Sequence, residues 1–321
     1  MTTSTINSAI KGKAYEYACI LALQEIISPI RCIEIIENTS LNIAKLRYQD
    51  DISAQEKSDM LLSAKSGIEA IIEMEPKIIE DGCDRLTISL QPDNIATNLG
   101  DIRDVLIIRR SIEWEIGASV KHNHAALKHS RLSTKLDFGK VWFGVPCSQD
   151  YFTEIKPIFA RLIALKERGT KWRDLINKED TVYIPLLKAF MSELNQLNMA
   201  NDITADFVKY LLGSNGKDYY KLIHNKNHTT TIMPFNLFGT LNQSANNTRP
   251  TIIIPQIELP TRIIELSFKD DSKTTVILTM NNGWSISFRI HNASTIVEPS
   301  LKFDVQLQSK PEDMFYLNRE W

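Results

Sequence analysis

The stretch Gly100–Ser133, GDIRDVLIIRRSIEWEIGASVKHNHAALKHSRLS, decides how this 321-residue chain is read. It holds two apolar runs, Val105–Arg109 and Trp114–Lys121, joined by the short polar link Arg110–Glu113, a pattern that predicts an antiparallel hairpin. Side chains alternate across a strand, so Glu115, Gly117, Ser119 and Lys121 share one face. Asp104 opens the first strand and Lys121 closes the second, so pairing the strands brings a carboxylate and an ammonium together. That pair suits phosphodiester hydrolysis: the carboxylate holds a divalent cation, and the lysine orients and polarises the attacking water. Acids and lysines at strand ends are also ordinary solvated residues, and spacing alone does not separate the two readings. The residues after Lys121 favour chemistry. From Lys121 to Arg131 the chain places His122, His124, Lys128 and His129, half of its six histidines in one short basic run.

The segments Gly100–Asp104, Glu115–His124 and Ala126–Ser133 resemble the core of type II restriction endonucleases of the HaeIII type, a branch of the PD-(D/E)xK nuclease superfamily. Gly12–Glu16 in the first helix, and Gly283–Ser294 with Val297–Asp304 near the C-terminus, fit the same family, so the similarity spans nearly the whole chain in islands. The resemblance implies a Mg²⁺-dependent endonuclease acting on double-stranded DNA at a short, GGCC-like palindrome. It also implies a cognate DNA methyltransferase that acts on the same site without a stable complex. A palindrome favours twofold symmetry and hence a homodimer; a monomer nicking each strand in turn is the alternative. One departure matters. Where the superfamily pattern carries an acid two residues before the lysine, this chain has Ser119.

Asp104 is the first candidate metal ligand, since Mg²⁺ takes one or two carboxylates plus water and the substrate phosphate; Asp101, three residues earlier, reads as a turn residue. The second acid has two candidates. Glu115 lies on the correct face, but six residues from Lys121 is about 20 Å of strand. Glu16 is the better one: it sits in a helix whose Gly12, Ala14 and Ala18 permit close packing, and an acid amid apolar positions carries a burial cost unless partnered. Ser119 is left to act through its hydroxyl or a water. Lys121 is expected to neutralise charge developing on the phosphate. His122, Asn123, His124 and His129 are candidate DNA contacts, with Asn123 alternating onto the face of Lys121 if the strand continues. Lys128 and Arg131, three apart, would share a face on a following helix. Arg289 and His291 share a strand face with Asn292 beside them; an arginine there can read guanine O6 and N7, or pair with Glu298 or Asp304. The string His122-Asn-His124 is not the HNH nuclease motif, whose residues are spread over a hairpin and a helix.

Hydrophobic and charged contents of 43% and 24% are those of a soluble globular protein. No apolar run reaches membrane-spanning length, the polar N-terminus lacks a signal-peptide core, and four scattered cysteines with no CxxC argue for a reducing cytoplasm and against structural zinc. Net charge is only −2, but it is segregated: acids dominate Asp50–Asp84 and bases dominate Arg103–Lys140. Phosphate contacts need such a local basic surface rather than a basic protein. The expected fold class is mixed α/β (α+β), a nuclease core over residues 1–150, a helical region over 151–230 and a β-rich recognition region over 231–321. Helices are expected over 12–27 and from a capping box at Ser53–Glu56. Strands are expected over Arg85–Gln91, Lys140–Val145, Thr251–Ile257, Thr261–Phe268, Thr274–Met280, Trp284–His291 and Lys302–Leu307, with Asn281-Asn-Gly283 as a hairpin turn. Two other classes stay open: another nuclease of the superfamily, acting in repair or RNA processing, and a non-catalytic DNA-binding protein whose site has decayed at Ser119.

Overall fold

In the computed structural model, which describes residues 8–80, 84–92, 101–123, 127, 130–213, 216–292 and 294–321, small residues set the layout around the first helix. Helix α1 (Ser8–Ile27) buries Ala14, Ala18 and Ala22 completely; their four-residue spacing makes one stripe along which another backbone can approach closely. Gly12 is not part of that approach, since a Cβ there would meet nothing within 4 Å. After α2 (Thr39–Leu46), helix α3 (Ala54–Met74) starts at the expected capping box: Ser53 accepts from the Glu56 N–H, and Glu56 accepts from the Ser53 N–H.

These helices lie on a seven-stranded mixed sheet of order β1 (Ile33–Ile35), β2 (Leu86–Leu90), β3 (Val105–Arg109), β4 (Trp114–His122), β6 (Tyr219–His224), β7 (Thr229–Phe235) and β12 (Leu317–Glu320). The β1–β2 and β4–β6 pairs are parallel and the others antiparallel. The β3–β4 hairpin forms as its pattern predicts, turning through Arg110–Ile112 and a left-handed Glu113. A second sheet, entirely antiparallel, has the order β5 (Arg131–Leu132), β11 (Leu301–Ser309), β10 (Ser285–His291), β9 (Thr275–Met280) and β8 (Ile263–Phe268). Asn282 and Gly283 both take positive φ between β9 and β10, as a type I′ turn requires. The chain divides into two compact units: residues 1–125, 214–257 and 313–321 carry the first sheet, and 126–213 with 258–312 carry the second. Helices α4 (Phe138–Phe143), α5 (Gln149–Glu167), α6 (Ile184–Ala200) and α7 (Thr204–Leu212) belong to the latter. There the rings of Phe138, Trp142, Phe190, Phe207, Phe288 and Phe303 pack on one another. Among the described residues no helix is long and apolar enough to cross a membrane.

Two expectations fail for identifiable reasons. Lys140–Val145 reads as a strand from its Val-Trp-Phe, but the chain is helical from Phe138: Asp137 caps the Lys140 N–H, and Phe138 and Trp142, four apart, reach the same aromatic core. Thr251–Ile257 is irregular. Proline flanks or interrupts it at 250 and 255, removing ladder donors. Its amides bond instead to Glu73 O, to Asn242 Oδ1 and to Asn236 O. The polar run His224–Thr231 ends β6 and begins β7. The strand β6 escaped notice because all six of its residues are buried, so it lacks the alternation that marks a half-exposed strand.

Close approach of α3 to the sheet depends on Gly67, where a Cβ would collide with Leu222 Cδ2 and crowd Thr230 Cγ2. Helix propensity alone would make Gly67→Ala stabilising by up to about 1 kcal/mol. Overpacking costs about 1–3 kcal/mol and should win, so urea unfolding should show a lower midpoint at unchanged slope.

Candidate active site

The geometry at the head of β3 is set from outside the strand. Gly117 carries no side chain, and the Arg103 side chain lies where its Cβ would be. Lying over β4 in this way, Arg103 pairs with Asp101 at 2.7 Å and Glu115 at 3.1 Å, and Lys217 holds Glu115 at 2.6 Å. Asp101 and Glu115 are thereby committed to positioning the chain rather than to a metal. Gln91 closes the other side, donating through Nε2 to Arg103 O and from its backbone N–H to Asp104 O. The Asp104 N–H in turn donates to Ala118 O.

With its backbone so bracketed, Asp104 turns its carboxylate onto β4. Its Oδ2 accepts from the Val120 N–H at 2.6 Å, Lys121 Nζ at 3.1 Å and Ser119 Oγ at 3.4 Å. Among the described residues the donors converge on Oδ2, and Oδ1 receives none. Both ends of the Asp104–Lys121 pair are about a quarter exposed (23% each), open enough for a substrate phosphate.

Glu16 comes to the same place from α1. Only 7% exposed, its carboxyl is pushed up to about 8, first by burial and then by the charge of Asp104, with Lys13 and Lys121 opposing. Lys13 Nζ donates to it at 3.0 Å. A buried carboxyl whose proton affinity is raised beside a second carboxylate is relieved by a proton or by a hard cation. The donor set, all oxygen and two carboxyls, fits a hard divalent ion. No group of three or more His, Cys, Asp and Glu side chains suited to a metal occurs among the described residues, so any ion here would take its remaining ligands from water and substrate.

Lys221 completes the row and was missed in the sequence. In the parallel β4–β6 pairing it stands beside Ser119, as Ile223 stands beside Lys121. Asp104, Ser119 and Lys221 therefore cross three neighbouring strands in one line. Lys221 is 1% exposed. Burial, and next the charge of Lys121, pull its pKa down to about 7, with Asp104 opposing. A fully buried lysine is rare, and its signal in the sequence was a lysine inside the unbroken apolar run Tyr219–Ile223. Ser119 itself is fully buried.

The remaining candidates are scattered. His122 ends β4 with its ring stacked on His224 at 4.8 Å. Asn123 does not continue the strand: it is left-handed (φ 59) and its Nδ2 lies 3.0 Å from His122 Nδ1, so it does not share the face of Lys121. His124, Lys128 and His129 lie outside the described residues. Arg131 is on strand β5 rather than a helix, 3.4 Å from Ser300 Oγ. Arg289 is exposed on β10 and pairs with Asp304 at 3.0 Å, the alternative to a base contact. His291 stands two residues on, opposite Lys302. Asn292 accepts from the Tyr183 hydroxyl and donates to Ser294 O.

A family model for the HaeIII restriction endonuclease matches residues 12–311. The type II restriction enzyme HaeIII of Haemophilus aegyptius is 47% identical over 313 residues, covering 97% of each chain. No solved structure matches the chain.

The raised pKa of Glu16 has a thermodynamic consequence. The unfolded carboxyl titrates near 4.5 and the folded one near 8. Its contribution to stability is therefore complete below the first value and is lost as pH rises through the second. Gln at this position does not titrate. With EDTA present, the thermal midpoint of Glu16→Gln should gain steadily on that of the wild type across this window. Adding Ca²⁺ near the upper end should restore the wild type and leave the variant unmoved; a difference independent of pH would separate Glu16 from Asp104.

Proposed function

The chain belongs to the HaeIII restriction endonuclease family, whose members are site-specific type II endonucleases, and from that premise we propose that the row Asp104–Ser119–Lys221 with Lys121 and Glu16 is its catalytic centre. The substrate is double-stranded DNA, cut at a short palindrome, GGCC-like as the resemblance implies. The observation that carries this assignment is the convergence of Val120 N–H, Lys121 Nζ and Ser119 Oγ on one Asp104 oxygen, beside a buried glutamate whose pKa is raised by burial and by the charge of Asp104.

Asp104 and Glu16 are the residues that would hold the divalent ion, which we take to be Mg²⁺. When bound, it supplies Lewis-acid stabilisation of charge on the scissile phosphate. Asp104, locked by three donors, presents its other oxygen in a fixed direction. Lys121 reaches outward from that carboxylate to neutralise charge on the pentavalent phosphorus and to orient the attacking water, an electrostatic role that costs no reorganisation when it is already in place. Ser119 keeps the aspartate turned toward β4. Lys221 adds a second amine behind it, beside Ser119, the position at which the superfamily pattern carries an acid. DNA is gripped by the basic run from His122 through Arg131, including Asn123, His124, Lys128 and His129, and its bases are read from the sheet carrying Arg289, His291 and Asn292. The enzyme works in the cytoplasm, with a methyltransferase that modifies the same site independently, and as a homodimer matching the twofold symmetry of its palindrome.

Digestion of a phage genome tests the reading directly. Mg²⁺ or Mn²⁺ should give a fixed set of fragments, and EDTA or Ca²⁺ none, because Ca²⁺ prefers longer bonds and more ligands. A smear would point to a nuclease without site specificity, and intact DNA to a binding protein with a decayed site.

Lys121→Ala should leave affinity for cognate DNA in Ca²⁺ unchanged and lower the single-turnover rate by roughly two to four orders of magnitude, as removal of a preorganised electrostatic stabiliser does. Lys221→Met, which keeps bulk and removes charge, should also lower the rate at unchanged affinity, but by less. Wild-type rates in the second variant would make Lys221 a structural lysine.

A further inference from the structure

The same end of the first sheet carries a pocket for which the cleavage chemistry has no use. Its volume is about 220 Å³, and it is lined by Lys11, Met60, His122, His224, Asn225 and Trp321 among others. At roughly 30 Å³ per water, that is room for about seven waters. It adjoins the catalytic row through sequence: His122 follows Lys121 on β4, and Lys11 precedes Glu16 on α1 by little more than one turn.

Its wall is a pile of flat rings. Trp321 stacks on His224 at 5.2 Å and 24°, and His224 stacks on His122 at 4.8 Å and 15°. Tyr15 tilts against His224 at 5.3 Å. His224 is 7% exposed, yet among the described residues its Nδ1 has no hydrogen-bond partner; the Trp321 Nε1 is likewise buried and unpartnered. Burial pushes the His224 pKa down to about 4, which leaves the ring neutral at ordinary pH.

Charge decides what enters. Lys11 and Lys226 line the pocket, but so do Glu56 and Asp59, and Lys11 is already paired with Glu56 at 2.6 Å. The formal charges cancel and the buried imidazole is neutral, so nothing here selects a phosphate. Stacked rings in the wall and cancelling side-chain charges select a flat, uncharged ligand, which in a DNA-cutting protein is a nucleobase. We propose that this pocket receives one base turned out of the stack of the bound duplex, at or next to the cleaved site. The proposal rests on the DNA-cleaving function of the chain. Unstacking costs a few kcal/mol; stacking on aromatic rings returns about 1–3 kcal/mol per base.

The test places photoreactive analogues (5-iodopyrimidines, 6-thioguanine and 8-azidoadenine) one at a time through a cognate duplex bound to the wild-type protein in Ca²⁺. One position should crosslink, and mass spectrometry should find the adduct on His122, His224 or Trp321. His122→Ala should weaken cognate binding by roughly 5- to 150-fold, with a much smaller loss on random DNA. The same variant should lose the 2-aminopurine fluorescence change at the crosslinked position. Cognate DNA that is bound and cut while every adduct falls elsewhere would overturn the pocket assignment and leave the nuclease reading standing. Equal loss of cognate and random binding in His122→Ala, with blocking by ethylation of one phosphate, would make the pocket a backbone clamp and also overturn it. Absence of any site-specific cleavage would remove both readings together.

Discussion

The carboxylate of Asp104 takes the place of a strand. Where β3 begins, the next backbone acceptor that β4 would meet is missing, and Asp104 Oδ2 fills it by accepting the Val120 N–H at 2.6 Å. One hydrogen bond thus satisfies a buried β4 amide, which is costly to leave unpaired, and aims the acid assigned here to the proposed catalytic centre. The supports around it follow from that need. Arg103 fits across β4 because Gly117 leaves the space, Asp101 and Glu115 hold the guanidinium, and Gln91 bonds the backbone on both sides of the acid. The connecting residues on either side of the strands thus brace a site built at their ends.

Burial then sets the electrostatics. Glu16 and Lys221 are both withdrawn from water beside Asp104 and Lys121, and their pKa values move toward each other, the acid up to about 8 and the base down to about 7. Each shift is dominated by desolvation, and each is enlarged by a like charge, Asp104 for the glutamate and Lys121 for the lysine. The pocket as folded therefore holds its charges at a cost, and a cation between the carboxyls with a phosphate near the lysines relieves both at once. Substitution of an acid by Ser119 fits this arrangement: a carboxylate next to Lys221 would remove the excess positive charge on that side of Asp104. The neighbouring pile of His122, His224 and Trp321 is of a different character, a stack of flat rings.

The sequence by itself determined the hairpin, because alternation of period two and a polar link leave little else for Val105–Lys121 to be, and with it the meeting of Asp104 and Lys121. It determined the α3 cap at Ser53 and Glu56 and the Asn282-Gly283 turn, since each is a local device whose residues carry their own geometry. It also singled out Glu16, for an acid inside an apolar helix announces an uncompensated burial cost. Tertiary structure alone decided the rest. Whether Phe138–Phe143 is helix or strand turned on which rings it must reach. Asn123 left the strand because β4 ends at His122. Lys221 could not be seen as part of the site, since it comes a hundred residues after Lys121 and joins it only through parallel pairing of β4 with β6; periodicity reports a strand's own faces, whereas its neighbours across the sheet are chosen by the packing of the whole unit.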